Sequence, residues 1–284
     1  MALSKNKIKY ISSLKLKKYR DEYALFVAEG AKLVADLSGC FTAKIIVATK
    51  EWLADNNPVA EEIIVVDAPD DMKSVSQLSS PSPVLAVFYK HRRSLPENIT
   101  PYYTDSCQDS ISNADSDSEY LYSPNFFDKK RLVLAIDGVQ DPGNLGTIIR
   151  IADWFGINEI VCSENTVDVF NFKTIQATMG ALCNVVVHYV NLELFCRTAR
   201  ECQWHVYGTF LDGDTIYNAS LNDYGVIVMG NEGNGISSVI ATLVSDKLYI
   251  PDYPKGKSYS ESLNVAVATS IVCNEFRRLP FIKK

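Results

Sequence analysis

The sequence predicts an α/β protein of two domains, the second built on a parallel β-sheet. The chain has 284 residues, which is more than one average domain. Apolar residues make up 47% and charged residues 22%, a balance typical of globular proteins that excludes disorder of the whole chain. Short apolar runs alternate with helical patterns, most regularly after Arg131. Such alternation is typical of a parallel sheet with helices on both faces.

A small α/β domain is predicted over residues 1–93. Residues 12–37 carry an apolar stripe that predicts helical segments, interrupted near Gly30, and the stripe consists of Leu14, Leu16, Leu25, Val27, Leu33, Val34 and Leu37. Three short apolar runs then predict strands at Ala43–Ala48, Glu62–Val66 and Val84–Tyr89. Between them, the polar segment before Met72 has the composition of a helix start.

Residues 94–128 differ in composition and are predicted to form a flexible acidic insertion. The part from Asp105 to Glu119 is rich in Ser, Asp and Asn and cannot bury a core. Aromatic residues follow it, and we expect them to dock the far end of the insertion: Tyr120, Tyr122, Phe126 and Phe127.

The second domain is predicted over residues 129–284. Its strands are expected at Leu132–Ile136, Glu159–Cys162, Val185–Val190, His205–Phe210, Gly225–Met229 and Lys247–Ile250. Its helices are expected near Asn144–Phe155, Phe172–Met179, Leu192–Cys202, Ile236–Leu243 and Ser262–Arg278. Because ligands of such sheets bind at the carboxyl ends of the strands, the loops after Ile136, Phe210, Met229 and Ile250 are the candidate functional segments.

The loop after the first strand of this domain contains a turn and a helix start. Pro142 and Gly143 form the turn, and Asn144 is predicted to cap the helix that follows. The apolar residues of the helix fall on one face, and Arg150 lies just off that face. Taken alone, the pattern also fits an ordinary capped helix with a surface arginine.

The loop after Met229 is rich in glycine. Gly230, Gly233 and Gly235 fall within six residues, and Glu232 is an acid held in the same tight turn. The spacing is not G-x-G-x-x-G and the loop comes late in the chain, so a Rossmann dinucleotide site is disfavoured.

The third candidate element joins Ile250-Pro251 to the last helix. Ser262 and Asn264 open that helix, whose small residues allow close packing of another backbone. A serine nucleophile is disfavoured because the chain has no G-x-S-x-G elbow.

In this order the three elements resemble the signature motifs of the SpoU/TrmH family of RNA ribose 2′-O-methyltransferases, in the SPOUT class. The resemblance covers about residues 130–284 and rests on Asn144 with Arg150, on Gly230-Asn-Glu-Gly-x-Gly235, and on Ile250-Pro251 with Ser262-Leu-Asn264. Residues Ser12 to Gly30 are similar to the L30e-like substrate-binding domain of the same family.

The resemblance implies a C-terminal domain with a trefoil knot, an S-adenosylmethionine cofactor and a homodimer with its site near the subunit interface. By position, the residues that would hold the cofactor are Gly230, Ile250 and Leu263, with Leu211 nearby. The catalytic set implied is Arg150, oriented by Asn144 and Glu232 within the chain or across the dimer, with Ser262 and Asn264 fixing the loop and the ribose. No metal is implied.

A local basic segment is the candidate RNA contact, although the net charge of the chain is −6. Residues 1–20 hold seven Lys or Arg and no acid, and the RNA-binding residues predicted there are Lys15, Lys17, Lys18 and Arg20. A solvated helix face is the alternative interpretation. An L30e-like domain favours ribosomal RNA over transfer RNA, because such domains suit structured RNA.

Several expectations complete the interpretation. Seven scattered cysteines without a C-x-x-C pair favour reduced thiols and a cytoplasmic protein, and the absence of an 18-residue apolar run argues against a membrane span. The loop at 252–261 is longer than the family pattern, which leaves the shape of the cofactor pocket open. The alternatives are a transfer-RNA ribose methyltransferase, a catalytically silent RNA-binding or assembly factor, methyl transfer to a base nitrogen, and another nucleotide-binding α/β protein.

Overall fold

The computed structural model describes residues 3–67, 69–92, 122, 124–254, 256 and 262–282. The expected acidic insertion, with Tyr120, lies almost entirely outside the described residues, as does most of the loop at 252–261. The chain divides into two compact units. Unit 1 comprises Met1–Glu97 and Asp168–Asn184, and unit 2 comprises Asn98–Val167 and Val185–Lys284.

Helices and strands alternate through both units. The strands are β1 (Leu25–Glu29), β2 (Phe41–Thr49), β3 (Ala60–Val66), β4 (Val84–Arg92), β5 (Leu132–Ile136), β6 (Glu159–Ser163), β7 (Val186–Val190), β8 (Val206–Thr215), β9 (Gly225–Met229) and β10 (Asp246–Tyr249). The α-helices are α1 (Lys5–Ser13), α2 (Lys17–Glu22), α3 (Ala31–Ser38), α4 (Lys50–Asp55), α5 (Pro124–Phe127), α6 (Pro142–Trp154), α7 (Phe172–Thr178), α8 (Leu192–Glu201), α9 (Ser238–Ala241) and α10 (Val265–Ile282). Short 3-10 turns lie at Pro69–Ser74 and Ala181–Cys183.

Unit 1 contains a mixed sheet in the order β1-β4-β2-β3. Strands β2 and β3 are parallel, and β4 pairs antiparallel with both β1 and β2. The predicted helical run across residues 12–37 is wrong at Leu25 and Val27, because these residues lie in β1, where five consecutive residues are buried. A strand covered on both faces has no period-2 alternation, so its apolar run can be mistaken for part of a helix. Leu16, expected in the buried stripe, is 60% exposed.

The segment Asp168–Asn184 belongs to unit 1, although the sequence-based division placed it in the second domain. Its helix α7 packs against β1, and the Gln176 side chain donates a hydrogen bond of 2.8 Å to the carbonyl oxygen of Glu29. Sequence pattern alone could not reveal this, because the helix has the same spacing as the helices of a βαβ unit.

A disulfide joins this segment to the N-terminal part of unit 1. Cys40 follows α3 and Cys183 lies in the second 3-10 turn, with their Cα atoms 5.7 Å apart and their sulfurs bonded. The expectation of reduced thiols is therefore wrong for these two residues. The reason is the same packing of residues 168–184 in unit 1, which brings together cysteines 143 positions apart.

Unit 2 is built on a parallel sheet in the order β10-β8-β9-β5-β6-β7, which confirms the predicted α/β fold class with a smaller N-terminal α/β domain. The predicted strands and helices match the observed elements closely at most ends. The main difference is β8, which continues past Phe210 to Thr215. Within β8, residues 209–213 have no partners in β10, because the register shifts from Gly208↔Lys247 to Asp214↔Leu248.

Aromatic residues after the acidic insertion are part of the core of unit 2. Phe126 and Phe127, in α5, are buried against Phe195 and Trp204, with ring centroids 5.1–5.7 Å apart. The indole of Trp204 donates a hydrogen bond of 3.0 Å to the carbonyl oxygen of Phe127. This agrees with the predicted docking of the insertion's far end. Among the described helices, none is long and apolar enough to cross a membrane.

Candidate active site

Three polar side chains meet at one edge of the sheet of unit 2. Asn144 follows β5, Glu232 follows β9 and Asn264 follows β10, and all three strands are parallel, so their carboxyl ends lie at the same edge. The Asn264 amide donates to Oδ1 of Asn144 at 3.0 Å, and the Asn144 amide donates to Oε1 of Glu232 at 3.0 Å. We call Asn264, Asn144 and Glu232 the polar chain. It joins the three loops that the sequence singled out.

The carboxylate of Glu232 is the acceptor at the end of this chain. Its Oε1 also accepts from the backbone N–H of Asp141 at 3.2 Å, and its Oε2 accepts from the N–H of Gln140 at 3.3 Å and the amide of Asn231 at 3.4 Å. Partial burial acts to raise the pKa of Glu232, but these hydrogen bonds outweigh it, and the pKa lies below its usual value. Glu232 is therefore an ionised acceptor and not a general acid.

Asn264 is fixed by the helix that it begins. Its Oδ1 accepts from the backbone N–H of Ala266 at 2.9 Å and of Val267 at 3.3 Å, which caps the N-terminus of α10. Because the oxygen is engaged by the helix, the amide nitrogen must point the other way, toward Asn144. The cap thus determines the direction of the whole polar chain.

Asp141, not Asn144, caps helix α6. The Asp141 carboxylate accepts from the backbone N–H of Asn144 at 2.8 Å, and Pro142 occupies the first turn. The predicted capping role of Asn144 is wrong, and its side chain is instead free to bind Glu232. Asp-Pro at a helix start is a recognised capping signal that the sequence already contained.

Asn231 is a further organising residue that sequence reasoning missed. Its amide donates to the carbonyl oxygen of Gly138 at 2.7 Å, and its Oδ1 accepts from the N–H groups of Gly233 and Asn234 at 2.9 and 3.0 Å. Its backbone also pairs with that of Gly235 in both directions at 2.9 Å. An Asn beside glycines is a turn signal that could have identified it.

Gly230 has no space for a side chain. A Cβ at this position would lie 2.3 Å from the carbonyl carbon of Gly235 and from the nitrogen of Ile236. Both atoms are backbone and cannot rotate away. The turn 230–236 therefore closes so tightly that only glycine fits at its first position.

Main-chain groups at the predicted cofactor positions are available to a ligand. Within the described ranges, the backbone N–H and C=O groups of Gly230, Ile250 and Leu263 make no hydrogen bonds, and Gly230 is buried. Buried backbone groups are rarely left unpaired. Leu211 lies among the residues of β8 that have no partners in β10, and it is 70% exposed. Ser262 is exposed and makes no hydrogen bond within the described part of the chain.

Arg150 stands apart from the polar chain. It is exposed on α6, and it makes no hydrogen bond or ion pair with any residue that the structure describes. Orientation of Arg150 by Asn144 and Glu232 of the same chain, as expected from the motifs, is therefore not observed. The physical reason is helical geometry. Asn144 and Arg150 are six residues apart, and at about 100° per residue their side chains lie about 120° apart around the axis of α6, on different faces.

Comparison with known proteins decides the family. A model described as the SpoU rRNA Methylase family matches residues 131–274, just over half of the 284 residues. The chain belongs to the SpoU rRNA methylase family. A second model, the MRM3-like substrate binding domain, matches residues 5–86. All residues of the polar chain lie within the first match.

Relatives of known name align with about half of this chain. The Bacillus subtilis protein named 23S rRNA (guanosine(2553)-2′-O)-methyltransferase RlmP is 37% identical over 148 residues, covering 52% of this chain and 58% of the relative. The Neisseria meningitidis 23S rRNA (guanosine-2′-O-)-methyltransferase RlmB is 30% identical over 156 residues, covering 54% and 60%. The chain thus spans about three fifths of the length of these relatives.

Solved structures align over nearly the whole chain. A TrmH-family protein from Porphyromonas gingivalis is 35% identical with a TM-score of 0.78, covering 98% of this chain and all of that chain. An AdoMet-bound rRNA methyltransferase from Sinorhizobium meliloti is 28% identical with a TM-score of 0.74, covering 98% and 97%. The fold of both units is therefore that of the family.

The predicted RNA-binding residues of this family member differ in exposure. Lys15, Lys17 and Lys18 are exposed. Arg20 is only 3% exposed, pairs with Asp168 at 2.7 Å, and donates to two carbonyl oxygens at 2.8 and 3.0 Å. The prediction that Arg20 contacts RNA is wrong, because its guanidinium is fully occupied inside unit 1. Among the described residues, no cluster of His, Cys, Asp or Glu could hold a metal ion.

Proposed function

We propose that this protein is an S-adenosylmethionine-dependent methyltransferase that modifies a ribose 2′-hydroxyl in structured RNA. The observation that carries the proposal is the polar chain, which joins the three family motif loops through Asn264, Asn144 and Glu232 with two hydrogen bonds of 3.0 Å. Ribosomal RNA is the favoured substrate, since the named relatives are ribosomal RNA methyltransferases and the family carries the same name.

The free main chain at the carboxyl edge of the sheet fits the cofactor. Gly230, Ile250 and Leu263 offer backbone donors and acceptors that suit the polar groups of an adenosine and an amino acid, and Leu211 offers an exposed apolar side chain nearby in the sheet order. The AdoMet-bound Sinorhizobium meliloti neighbour supports this assignment. These residues would bind and orient the donor, while the polar chain keeps their loops in register.

The reaction requires little acid–base chemistry from the protein. S-Adenosylmethionine, when bound, would supply a methyl group made electrophilic by its positive sulfur for transfer to the ribose 2′-oxygen, leaving S-adenosylhomocysteine. The positively charged guanidinium of Arg150 binds the RNA phosphate and stabilises negative charge developing on the 2′-oxygen. The hydroxyl proton then passes to that phosphate or to water. Ser262 and Asn264 hold the loop beside the ribose.

Arg150 acts in a homodimer, completing the site of the partner subunit. It lies on the exposed face of α6 with Thr147 and Trp154, and Trp154 is 85% exposed. On α10, which packs against α6, Val267 is 50% exposed. An exposed tryptophan beside an apolar helix face is typical of a subunit interface. A role at a subunit interface fits the absence of any hydrogen bond or ion pair between Arg150 and the described residues of its own chain.

Mixing two inactive variants tests the shared site. Arg150→Ala should abolish methyl transfer while leaving cofactor affinity within about threefold, because the contacts to the donor are assigned to backbone groups and not to its guanidinium. Gly230→Ala should lose cofactor binding. Co-refolded in equal amounts, they should recover about a quarter of wild-type activity, since half the dimers are mixed and each has one intact site.

The outcomes of that experiment separate the alternatives. No recovery in mixed dimers would place Arg150 in its own subunit's site, and near wild-type activity of Arg150→Ala alone would remove it from catalysis. Absence of S-adenosylmethionine binding to the wild-type protein in calorimetry would favour a silent RNA-binding or assembly factor. Nuclease digestion with mass spectrometry of the product separates ribose from base methylation.

The rest of the proposal concerns the N-terminal domain, the RNA and the cell compartment. We assign RNA binding to residues 1–93, followed by an acidic linker at 94–128, and methyl transfer to the domain at 129–284 without the segment Asp168–Asn184, which belongs to unit 1. Lys15, Lys17 and Lys18 supply phosphate contacts. We place the activity in the cytoplasm, because the named relatives are bacterial ribosomal RNA methyltransferases. Mapping 2′-O-methyl sites in total RNA with and without the protein identifies the nucleotide and distinguishes ribosomal from transfer RNA.

A further inference from the structure

Tyrosine rings form a continuous row on the helices of unit 1. The ring of Tyr10 on α1 lies 5.5 Å from that of Tyr23, measured between centroids, and Tyr23 lies 6.0 Å from Tyr19 on α2, stacked at 21°. We call Tyr10, Tyr19 and Tyr23 the tyrosine row. The row ends beside the exposed lysines at 15, 17 and 18.

The rings of Tyr19 and Tyr23 lie outside the apolar cluster that Tyr10 contacts. Tyr10 packs against this cluster of unit 1, which contains Ile11 and Leu14. Tyr23 is 37% exposed. Within the described ranges, neither the Tyr19 nor the Tyr23 hydroxyl has a hydrogen-bond partner, whereas the hydroxyl of Tyr89 donates to Glu61 at 2.9 Å. Aromatic faces that stay accessible in this way are available to a ligand.

The charge around the row favours an anionic partner. Lys9, Lys15, Lys17 and Lys18 are exposed and form no ion pair with any described residue. The ammonium of Lys18 lies 5.8 Å from the ring centroid of Tyr19. The nearby acids are partly neutralised, because Asp21 pairs with Lys90 at 2.5 Å and Glu62 with Lys7 at 2.6 Å. Free positive charge thus lies on the same segment as the rings.

An open groove extends the row on the Tyr10 side. Its volume is about 450 Å³, and it is lined by Lys7, Tyr10, Lys44, Ile45, Glu61 and Glu62. The ammonium of Lys44 lies between the rings of Tyr10 and Tyr89, at 5.8 and 5.5 Å from their centroids. A surface of this kind offers flat faces for stacking, cations for phosphates and carboxylates that accept from amino groups.

We infer that the tyrosine row is a stacking platform for unpaired bases of the substrate RNA. This inference rests on the proposed function. Aromatic rings stack on bases of any sequence, and lysines beside them bind the phosphates that connect those bases. Single-stranded loops and bulges present splayed bases, whereas duplex RNA hides them. The row therefore binds unpaired segments, and the lysines alone contact duplex RNA.

Substitution of Tyr19 and Tyr23 separates the contribution of stacking from that of charge. In Tyr19→Ala with Tyr23→Ala, affinity for an unstructured RNA oligonucleotide should fall about tenfold, while the dependence of affinity on salt keeps its slope. Tyr19→Phe with Tyr23→Phe should bind within about twofold of wild type, because the rings remain. Tyr217→Ala is the matched control, since Tyr217 is 53% exposed in unit 2.

A lysine variant gives the opposite signature. Lys17→Ala with Lys18→Ala should weaken binding of single-stranded and duplex RNA alike and flatten the salt dependence. The tyrosine variant should leave duplex affinity unchanged. Its thermal unfolding should match that of wild type, and methyl transfer at saturating RNA should keep its kcat with a raised KM.

The results distinguish this inference from the proposed function. Wild-type affinity in the double alanine variant, or an equal loss in the phenylalanine variant, overturns the stacking platform even if methyl transfer is intact. Ring-dependent RNA binding without any methyl transfer by the wild-type protein overturns the proposed function and leaves the platform standing. Failure of the wild-type protein to bind either RNA overturns the platform. Ring-dependent binding of an acidic protein in place of RNA also overturns the platform.

Discussion

Replacing Glu232 by glutamine tests whether its carboxylate organises the candidate active site. Each carboxylate oxygen of Glu232 accepts two hydrogen bonds. The donors to Oε1 are Asp141 and Asn144, and the donors to Oε2 are Gln140 and Asn231. A glutamine amide has only one oxygen. Either orientation of the new side chain therefore turns an NH₂ group toward two donors and loses two hydrogen bonds.

The expected cost is about 2 kcal/mol, taking about 1 kcal/mol for each lost hydrogen bond at a partly exposed position. Urea unfolding at neutral pH measures this cost. Hydrogen exchange of the Gln140 and Asp141 amides, which donate to the carboxylate, should accelerate in the variant. The matched control is Glu193→Gln, because Glu193 is an exposed carboxylate whose ion pair with Arg197 contributes less than about 0.5 kcal/mol.

The difference in free energy of unfolding between wild type and Glu232→Gln should also depend on pH. The pKa of Glu232 lies below its usual value, so its carboxylate stabilises the fold fully above the unfolded-state pKa of about 4.3. That stabilisation is lost as the pH falls through the lowered folded-state pKa. The stability gap between wild type and Glu232→Gln should therefore narrow on acidification. A gap no larger than that of Glu193→Gln, or one that stays constant down to strongly acidic pH, refutes this account.

Three further substitutions probe other parts of the molecule. Arg20→Ala should destabilise the protein by about 3–5 kcal/mol in urea unfolding, because it leaves Asp168 buried and unpaired, and an unchanged midpoint would return Arg20 to the list of RNA contacts. Gly230→Ala should eliminate S-adenosylmethionine binding in calorimetry, since its Cβ would lie 2.3 Å from the backbone of Gly235, and normal affinity would show that the turn can open. Cys183→Ser should lower the free energy of unfolding by about 2–4 kcal/mol under non-reducing conditions, and a reductant should lower that of wild type to the same value. Equal stability of variant and wild type without reductant would show that the disulfide does not form in solution.

The fold of unit 2 was largely predictable because its strands and helices alternate with clear turn residues between them. Of the residues predicted for the catalytic set, the structure joins Asn144, Glu232 and Asn264 by hydrogen bonds, a geometry that the sequence did not predict. Residues such as Asn144 and Glu232 could be named from motif spacing, yet their hydrogen bonds depend on which strands are neighbours in the sheet. Arg150 shows the limit of this reasoning, since it makes no contact with the Asn144 and Glu232 side chains of its own chain, which were expected to orient it.

Unit 1 was harder to predict for a different physical reason. Strand β1 is buried at every position, so its sequence has no alternation to separate it from the helical pattern around it. In the sequence, Arg20 could not be distinguished from the exposed lysines of the basic segment. Only the long-range partner Asp168, distant in sequence, reveals that it is a buried ion pair.

The excursion of the chain at Asp168–Asn184 has a consequence for dissecting this protein. Unit 1 includes Asp168–Asn184, which lies in the sequence between the two parts of unit 2. Division of the chain at one position therefore does not give two complete units. A fragment truncated at residue 97 would lack the carboxylate that neutralises a buried guanidinium, the helix that covers β1 and one sulfur of the cross-link. Exchange of the amino-terminal domain for another would therefore also require a change in the connection between β6 and β7.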